Sequence, residues 1–269
     1  MPDRLPTYAL AHGGGPWPWM ENAMGVDWQP LRDALAAIPS ELPTAPRAIV
    51  MISAHWEEDD FRLQTSARPP MLYDYWGFPE HTYSIDYPAP GAPDVAAEVA
   101  QLLDDHGIPT SNDPDRGFDH GTFVPMHVMY PEADVPLVQL SIRRDYDPAA
   151  HLALGRALAP LRDRCVLLVA SGLPSFHDLS TMGPASAGAA KAFDDWLTET
   201  MVEHSGDDRS ARLLEWDRAP SARQAHPRED HFIPLLVAVG AAEGDTGVRQ
   251  YHEDDSMGGW MASSGYRLG

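Results

Sequence analysis

Short apolar runs that end close to a histidine recur along this chain. Their positions are 7–11, 48–52 and 165–170, and they lead to His12, to His55 and, a few residues on, to His177. Runs this short and apolar are typical of strands buried on both faces of a sheet. Open α/β sheets bind their ligands at the carboxyl edge of such strands. We therefore expect a functional site at that edge, and we expect the strands that deliver His12 and His55 to be neighbours.

Further strands alternate with amphipathic helical patterns along the rest of the chain. Strands are predicted at 61–66, 135–142 and 166–170, with an edge strand after 247; helices are predicted at 28–38, 94–106, 148–161, 185–203 and 230–242. The first of these helices is expected to end at Pro39, because proline removes a backbone donor. The alternation predicts one α/β domain over residues 1–269, with a central, mostly parallel sheet flanked by helices and the site at the carboxyl edge of its strands.

The segment 68–93 is too rich in proline and aromatic residues for regular structure. A long irregular segment inside a compact domain is usually functional, so an aromatic lid or pocket wall is one hypothesis; a packed surface excursion is the other. The aromatic residues that could wall such a pocket are Trp17, Trp19, Trp56, Tyr73 and Trp76, although core aromatics would give the same pattern.

The charge balance limits the choice of partners. The formal net charge is −21, which argues against nucleic acid and anionic membrane surfaces because both would be repelled. The single cysteine, Cys165, excludes an intramolecular disulfide and favours a cytoplasmic location, and no stretch approaches the length of a membrane span. The expected assembly is a monomer or a homodimer.

Twelve histidines are the strongest chemical signal, because imidazole is the commonest metal ligand in proteins. The chain has no HExxH, no paired CxxC and no GxSxG, so zincins, zinc fingers and α/β-hydrolase elbows are not indicated. We expect six histidines to be structural: His81, His106, His127, His151, His204 and His252. The others stand beside predicted strand ends, in glycine-rich turns or in the segment before the last helix.

Five blocks then occur in a fixed order. They are His12-Gly-Gly-Gly-Pro, Ser53-Ala-His55-Trp-Glu57, Gly117-Phe-Asp-His120-Gly121, Ser171-Gly172 with His177-Asp178, and His226-Pro-Arg-Glu-Asp-His231. Together they resemble the class III extradiol ring-cleavage dioxygenases, the LigB-like superfamily, and most closely its 4,5-DOPA dioxygenase branch. The resemblance extends from residue 10 to about residue 242.

This resemblance implies one non-haem Fe(II), with Zn(II) sometimes found in its place, and a catechol and O2 as small-molecule partners. By similarity His12, His55 and His226 would hold the metal. His231 would be the fallback third ligand or a residue that supports or binds the substrate. His177 would be the acid/base histidine, or a fourth ligand when zinc is bound, and His120 would contact a substrate hydroxyl; Trp17 and Trp56 would also line the substrate site.

Two other classes of function remain open. A zinc-dependent hydrolase or lyase could use the same histidines, with Glu57 or Glu229 as the base. A non-catalytic relative could use the cleft only for binding. The joint presence of so many histidines favours an enzyme, because a binding module does not need them.

Overall fold

The apolar runs of the sequence form the strands of one central sheet. The computed structural model describes residues 4–21, 23–254 and 259–269, and in these residues the sheet has eight strands in the order β4-β3-β5-β2-β6-β1-β8-β7. Their bounds are β1 Thr7–Ala11, β2 Ala48–Glu58, β3 Phe61–Gln64, β4 Thr110–Asp113, β5 Leu137–Arg143, β6 Val166–Gly172, β7 Gly247–Glu253 and β8 Ser263–Leu268. The four central strands β5, β2, β6 and β1 are parallel. Antiparallel pairings join β3 to β5, β1 to β8 and β7 to β8.

Helices connect the strands and cover the sheet. Their bounds are α1 Gln29–Glu41, α2 Pro93–Asp105, α3 His120–Met129, α4 Pro148–Leu158, α5 Ala187–Glu203, α6 Gly206–Leu214, α7 Ala222–Ala225 and α8 Pro234–Ala241. Every residue of α8 is buried, and this helix contacts α4 and the strands β6 and β1. The α/β architecture with a mostly parallel sheet is therefore as the sequence predicted, and β7 is the expected edge strand.

The order of the central strands corrects one expectation. β1 and β2 are not neighbours, because β6 lies between them and pairs in parallel with both. Ser171 of β6 is paired with Leu10 on one side and with Ser53 on the other. All three strands are apolar on both faces. The pattern of each strand is therefore equally compatible with the middle position.

Several element bounds also differ from the prediction. β2 does not end at His55 but continues to Glu58, with an irregularity in its pairing with β5 between Ile52 and Glu57. α1 continues past Pro39 to Glu41. Pro39 lies in the last turn, so the backbone N–H that it lacks removes a hydrogen bond only there. Within the described part of the chain, no helix is both long and apolar enough to cross a membrane.

Candidate metal centre

Three imidazoles meet above the carboxyl edge of the central strands. Nε2 of His12 lies 3.1 Å from Nε2 of His55, and Nε2 of His231 lies 3.2 Å from the same atom of His55. His12 follows β1, His55 lies near the end of β2, and His231 lies in the segment between α7 and α8. All three rings are largely buried, and their centroids are 4.8 to 5.2 Å apart.

The other ring nitrogen of His12 faces a neutral donor group on the strand between β1 and β2. Nδ1 of His12 is 3.1 Å from Oγ of Ser171, and this hydroxyl donates its hydrogen to the carbonyl oxygen of Gly121. The hydroxyl has only one hydrogen, so it must accept from His12. His12 therefore carries its proton on Nδ1 and presents a lone pair from Nε2.

Carboxylates lie behind the other two imidazoles. Nδ1 of His55 is 3.4 Å from Oδ2 of Asp74, and Nδ1 of His231 is 3.1 Å from Oδ2 of Asp230. A carboxylate behind an imidazole favours the tautomer with the proton on Nδ1 and fixes the orientation of the ring. With the proton on Nδ1 of each ring, Nε2 of His12 and Nε2 of His231 would both present a lone pair toward Nε2 of His55.

This arrangement fits a metal ion. Two nitrogens bound at right angles to one ion, each about 2.1 Å from it, are about 3.0 Å apart, and about 3.4 Å apart in a tetrahedron. The observed separations of 3.1 and 3.2 Å fall between these values. Lone pairs that face each other at this distance repel unless a cation lies between them. A donor set of three imidazoles suits iron as well as zinc.

The protonation of the three histidines agrees with this role. Burial, followed by the charges of the neighbouring imidazoles, holds the pKa of His12 and of His231 well below the usual range. Burial is also the main reason that the pKa of His55 is lowered to about 3, against a smaller opposing contribution from Asp74. The rings are thus neutral near pH 7, which is the form that binds metals.

His120 begins α3 and lies beside His55, with 3.9 Å between ring centroids. The carboxylate of Asp119 caps this helix by accepting from the Thr122 amide. Oδ1 of Asp74 accepts from both the amide and Nδ1 of His120, at 3.0 and 2.8 Å. The Asp74 contacts leave Nε2 of His120 as an acceptor that a substrate hydroxyl could use. Burial alone would raise the pKa of Asp74, but its hydrogen bond to His120 and the charges of His120 and His55 lower it.

His177 lies on the other side of the cluster, stacked on His231 with 3.4 Å between ring centroids. Its amide donates to the carbonyl oxygen of Ala225, which ties the segment after β6 to α7. Burial lowers the pKa of His177, and the nearby Asp230 opposes this shift only in part. A neutral imidazole at this position can accept a proton and return it.

The expectation that His226 would join His12 and His55 is wrong in the structure. His226 is fully buried and ends α7, and its Nε2 lies 3.0 Å from the carbonyl oxygen of Pro174. Phe193, Trp216 and Phe232 surround its ring at centroid distances of 5.3, 6.0 and 5.4 Å. The turn that follows α7 brings His231, the fallback, to the cluster instead.

Two glycines allow the rings to come this close. A Cβ on Gly121 would lie 2.7 Å from Oγ of Ser53 and 3.0 Å from Cδ2 of His55. A Cβ on Gly172 would collide with the carbonyl oxygen of His231. Both belong to the sequence blocks noted above, and side chains at these positions would push His55 and His231 away from His12.

The aromatic residues predicted to line the site are placed differently. Trp17 and Trp56 are almost fully buried: Trp17 stacks on Trp28, and the guanidinium of Arg116 covers Trp56. They are core residues next to His12 and His55 rather than exposed walls: the Trp17 indole donates to the carbonyl oxygen of His12, and Trp56 follows His55 on β2. Trp76 is 83% exposed.

Tyr75 is an aromatic residue that packs against His120, beside the cluster. Its centroid is 5.8 Å from that of His120 and 6.4 Å from that of Phe123. Tyr75 belongs to the irregular segment 68–93, which therefore does reach the site. The sequence analysis missed Tyr75 and, in the same segment, Asp74. The one signal for both was the Tyr-Asp-Tyr triplet in that segment.

A polar network ties the segment that carries His231 to the end of β2. Arg228 and Tyr146 both donate to Oε2 of Glu57, the latter at 2.6 Å. Glu57 is two residues beyond His55 on the same strand, whereas Arg228 is three residues before His231. The network therefore links two of the three clustered histidines from the solvent side.

This chain is similar to known proteins in sequence and in structure. The family described as "Catalytic LigB subunit of aromatic ring-opening dioxygenase" matches residues 7–265. A protein of Beta vulgaris named 4,5-DOPA dioxygenase extradiol is 39% identical over 83% of this chain and 83% of its own length. A protein of the same name from Escherichia coli is 34% identical over 95% of this chain and 92% of its own length. The crystal structure of an uncharacterised Escherichia coli protein superposes with a TM-score of 0.77 at 29% identity, over 99% of this chain and 100% of that one.

Proposed function

The chain belongs to the LigB family of aromatic ring-opening dioxygenases, and on this premise we propose that it is an Fe(II)-dependent extradiol dioxygenase acting on a catechol. The observation that carries the proposal is the approach of Nε2 of His12 and Nε2 of His231 to Nε2 of His55. Nitrogen ligands of one cation have separations of this size, so the three imidazoles fit a metal ion.

The three imidazoles would hold the metal on one side and leave its other side open. When bound, Fe(II) would supply Lewis acidity toward the catechol oxygens and electrons for the activation of O2. Zn(II) fits the same nitrogens, and a hydrolase or lyase is the alternative that a zinc-bound form would suggest.

The protein's own contribution is to handle protons and to orient the ring. His177 is held neutral beside the cluster, and its free imidazole nitrogen can accept a proton from one catechol hydroxyl. The same histidine can later return that proton to an oxygen of the opening ring. His120, fixed by Asp74, can accept a hydrogen bond from the other hydroxyl through Nε2.

The surroundings favour an aromatic substrate. The ring of Tyr75 lies edge-on to His120, and Phe123 packs behind it. In the overall reaction both atoms of O2 enter the product, because the ring bond next to the diol is cleaved to a carboxylate and an aldehyde.

The cytoplasmic location expected from the single cysteine stays a prediction.

The test is anaerobic reconstitution with Fe(II), followed by addition of L-DOPA and of protocatechuate in air-saturated buffer. The expected result is uptake of one O2 for each catechol consumed, together with a yellow ring-opened product. The Zn(II)-loaded protein is the control and is expected to consume no O2. Absence of uptake with every catechol in a panel, despite stoichiometric bound iron, would contradict the proposal.

A further inference from the structure

Two buried carboxylates at the site share one arrangement. Each faces a clustered imidazole with one oxygen and a second, non-clustered imidazole with the other. Oδ2 of Asp74 is 3.4 Å from Nδ1 of His55, and Oδ1 of Asp74 is 2.8 Å from Nδ1 of His120. Oδ2 of Asp230 is 3.1 Å from Nδ1 of His231, and Oδ1 of Asp230 is 3.8 Å from Nδ1 of His177.

Neither carboxylate comes from the sheet that delivers His12 and His55. Asp74 lies in the irregular segment 68–93, which is held in place where the amide of Leu72 donates to the carbonyl oxygen of Phe118 at 2.9 Å. Asp230 lies in the turn before α8. Two connecting segments, on two sides of the cluster, thus each supply a carboxylate that faces two imidazoles.

One oxygen of each carboxylate is left without a full hydrogen bond. Within the described residues, Oδ2 of Asp74 and Oδ1 of Asp230 are buried and have no hydrogen-bond partner. A buried acceptor without a donor is unfavourable, so each of these oxygens favours a proton on the imidazole nitrogen that it faces. Each of these oxygens points at the more distant histidine of its pair. Oδ1 of Asp194, far from the site, is unpartnered in the same way.

We propose that Asp74 and Asp230 are positioning residues that couple metal binding to substrate handling, each through a His–Asp–His bridge. Each carboxylate keeps a proton on Nδ1 of both imidazoles that it faces. The Nε2 lone pairs of His55 and His231 are then available to the metal, and those of His120 and His177 to the substrate. This inference rests on the proposed function for the identity of the substrate.

The distances indicate that the two bridges differ in which histidine they affect most. Asp74 is tight on His120 and loose on His55, so its main effect is on substrate binding. Asp230 lies nearer to His231 than to His177, so its main effect is on the metal. Its contact with His231 is an ion-pair contact, because within the described residues Nδ1 of His231 has no hydrogen-bond partner. His12 has no such bridge, because its Nδ1 faces the neutral Ser171 hydroxyl.

The first experiment measures metal affinity with Zn(II) alone, by competition with a chromogenic chelator. Asp230→Asn is expected to weaken binding about 10–100-fold, the usual cost of losing a group that supports a ligand, and Asp74→Asn by a smaller factor. Asp194→Asn is the control: Asp194 is also a buried carboxylate, and its Oδ2 lies 3.5 Å from Nδ1 of His252, away from the site. The control is expected to bind zinc as the wild type does.

The second experiment compares steady-state kinetics with L-DOPA after each protein has been saturated with Fe(II). Loss of a charge-assisted bond from His120 is worth about 1.5–3 kcal/mol, so Asp74→Asn is expected to raise KM at least about tenfold. Asp230→Asn is expected to lower kcat through His177 while KM stays near the wild-type value. The proposal is overturned if both variants behave like Asp194→Asn, or if the two profiles are exchanged.

A third measurement needs no substitution and applies if a variant fails to fold. Long-range ¹⁵N–¹H spectra of the metal-free wild type report which nitrogen of each histidine carries the proton. His55, His120 and His231 are expected to be Nδ1-protonated, and an Nε2-protonated His120 would refute the bridge at Asp74. The zinc and tautomer measurements use no catechol, so they decide this inference even if the protein oxidises no catechol and the proposed function fails.

Discussion

His226 and His231 differ in role although the chain places them only five residues apart. Both are buried histidines of the same sequence block, and burial is the main reason that the pKa of each is lowered. Nε2 of His226 meets a backbone carbonyl oxygen at 3.0 Å, whereas Nε2 of His231 meets another imidazole nitrogen at 3.2 Å. The first contact is a hydrogen bond to the backbone, whereas the second joins two nitrogens that can both act as metal ligands.

The surroundings of the two rings explain the difference. Aromatic side chains enclose His226, so it fills a core position with one hydrogen bond. Three other imidazoles surround His231, namely those of His12, His55 and His177. Residue type and burial are therefore the same for both histidines, and only the group that each Nε2 faces distinguishes them.

The largest expected effect separates the two histidines by metal binding. His231→Ala is expected to lose stoichiometric metal, and to weaken binding by more than the roughly 10–100-fold that loss of a supporting group costs. His226→Ala is expected to keep full stoichiometry. Metal content after reconstitution and desalting, measured by elemental analysis, checks both, and the comparison fails if His226→Ala is the variant that loses the metal.

The next effect concerns His177, the stacked neighbour of His231. His177→Ala is expected to bind metal normally and to lose turnover of L-DOPA by about 10²–10⁴-fold, as removal of a general acid/base group usually does. Oxygen uptake at saturating substrate, with the metal content of the same sample, is the measurement. Full activity in this variant would place the proton transfer elsewhere.

A smaller effect is expected on stability. His226→Ala removes a buried ring from an aromatic cluster and should lower the free energy of unfolding by about 2–4 kcal/mol, the range seen for large-to-small core changes. Urea unfolding of the metal-free protein at pH 7 measures this. His81→Ala, at an exposed position, is the control and should change stability by well under 1 kcal/mol. An unchanged midpoint for His226→Ala would show that the ring is not part of the core.

The last expected effect is the pH dependence of the stability that His226→Ala loses. The folded-state pKa of His226 is lowered to about 3, so its stabilising contribution is complete above the unfolded pKa of about 6.5 and is lost as pH falls toward 3. At pH 4.5, about two units below the unfolded pKa, protonation of His226 stabilises the unfolded state by on the order of 3 kcal/mol. The difference between wild type and His226→Ala is therefore expected to shrink from pH 7 to pH 4.5; a constant or growing difference would contradict the assignment.

Much of the fold was predictable because it depends on local pattern. The apolar runs that became β1, β2 and β6 are too short for helices, and the alternation with helices such as α4 and α5 implies a parallel sheet. The order of the strands was not predictable in the same way. β1, β2 and β6 are equally apolar, so nothing in their own residues indicates that β6 lies between the other two.

The site was predictable only as far as its histidines. His12, His55, His120 and His177 follow from strand ends and from the family resemblance. The choice between His226 and His231 depends on how the turn after α7 folds against Gly172, which is a long-range contact. Asp74 could not be identified because it comes from an irregular segment whose packing on Phe118 has no periodic signal.

The most direct test of the central claim is a crystal structure of the anaerobically Fe(II)-loaded protein, with anomalous diffraction recorded at the iron edge. The account predicts one anomalous peak about 2.1 Å from Nε2 of each of His12, His55 and His231. His226 should remain bonded to the carbonyl oxygen of Pro174. A peak bound by His226, or iron bound away from these three nitrogens, would contradict it.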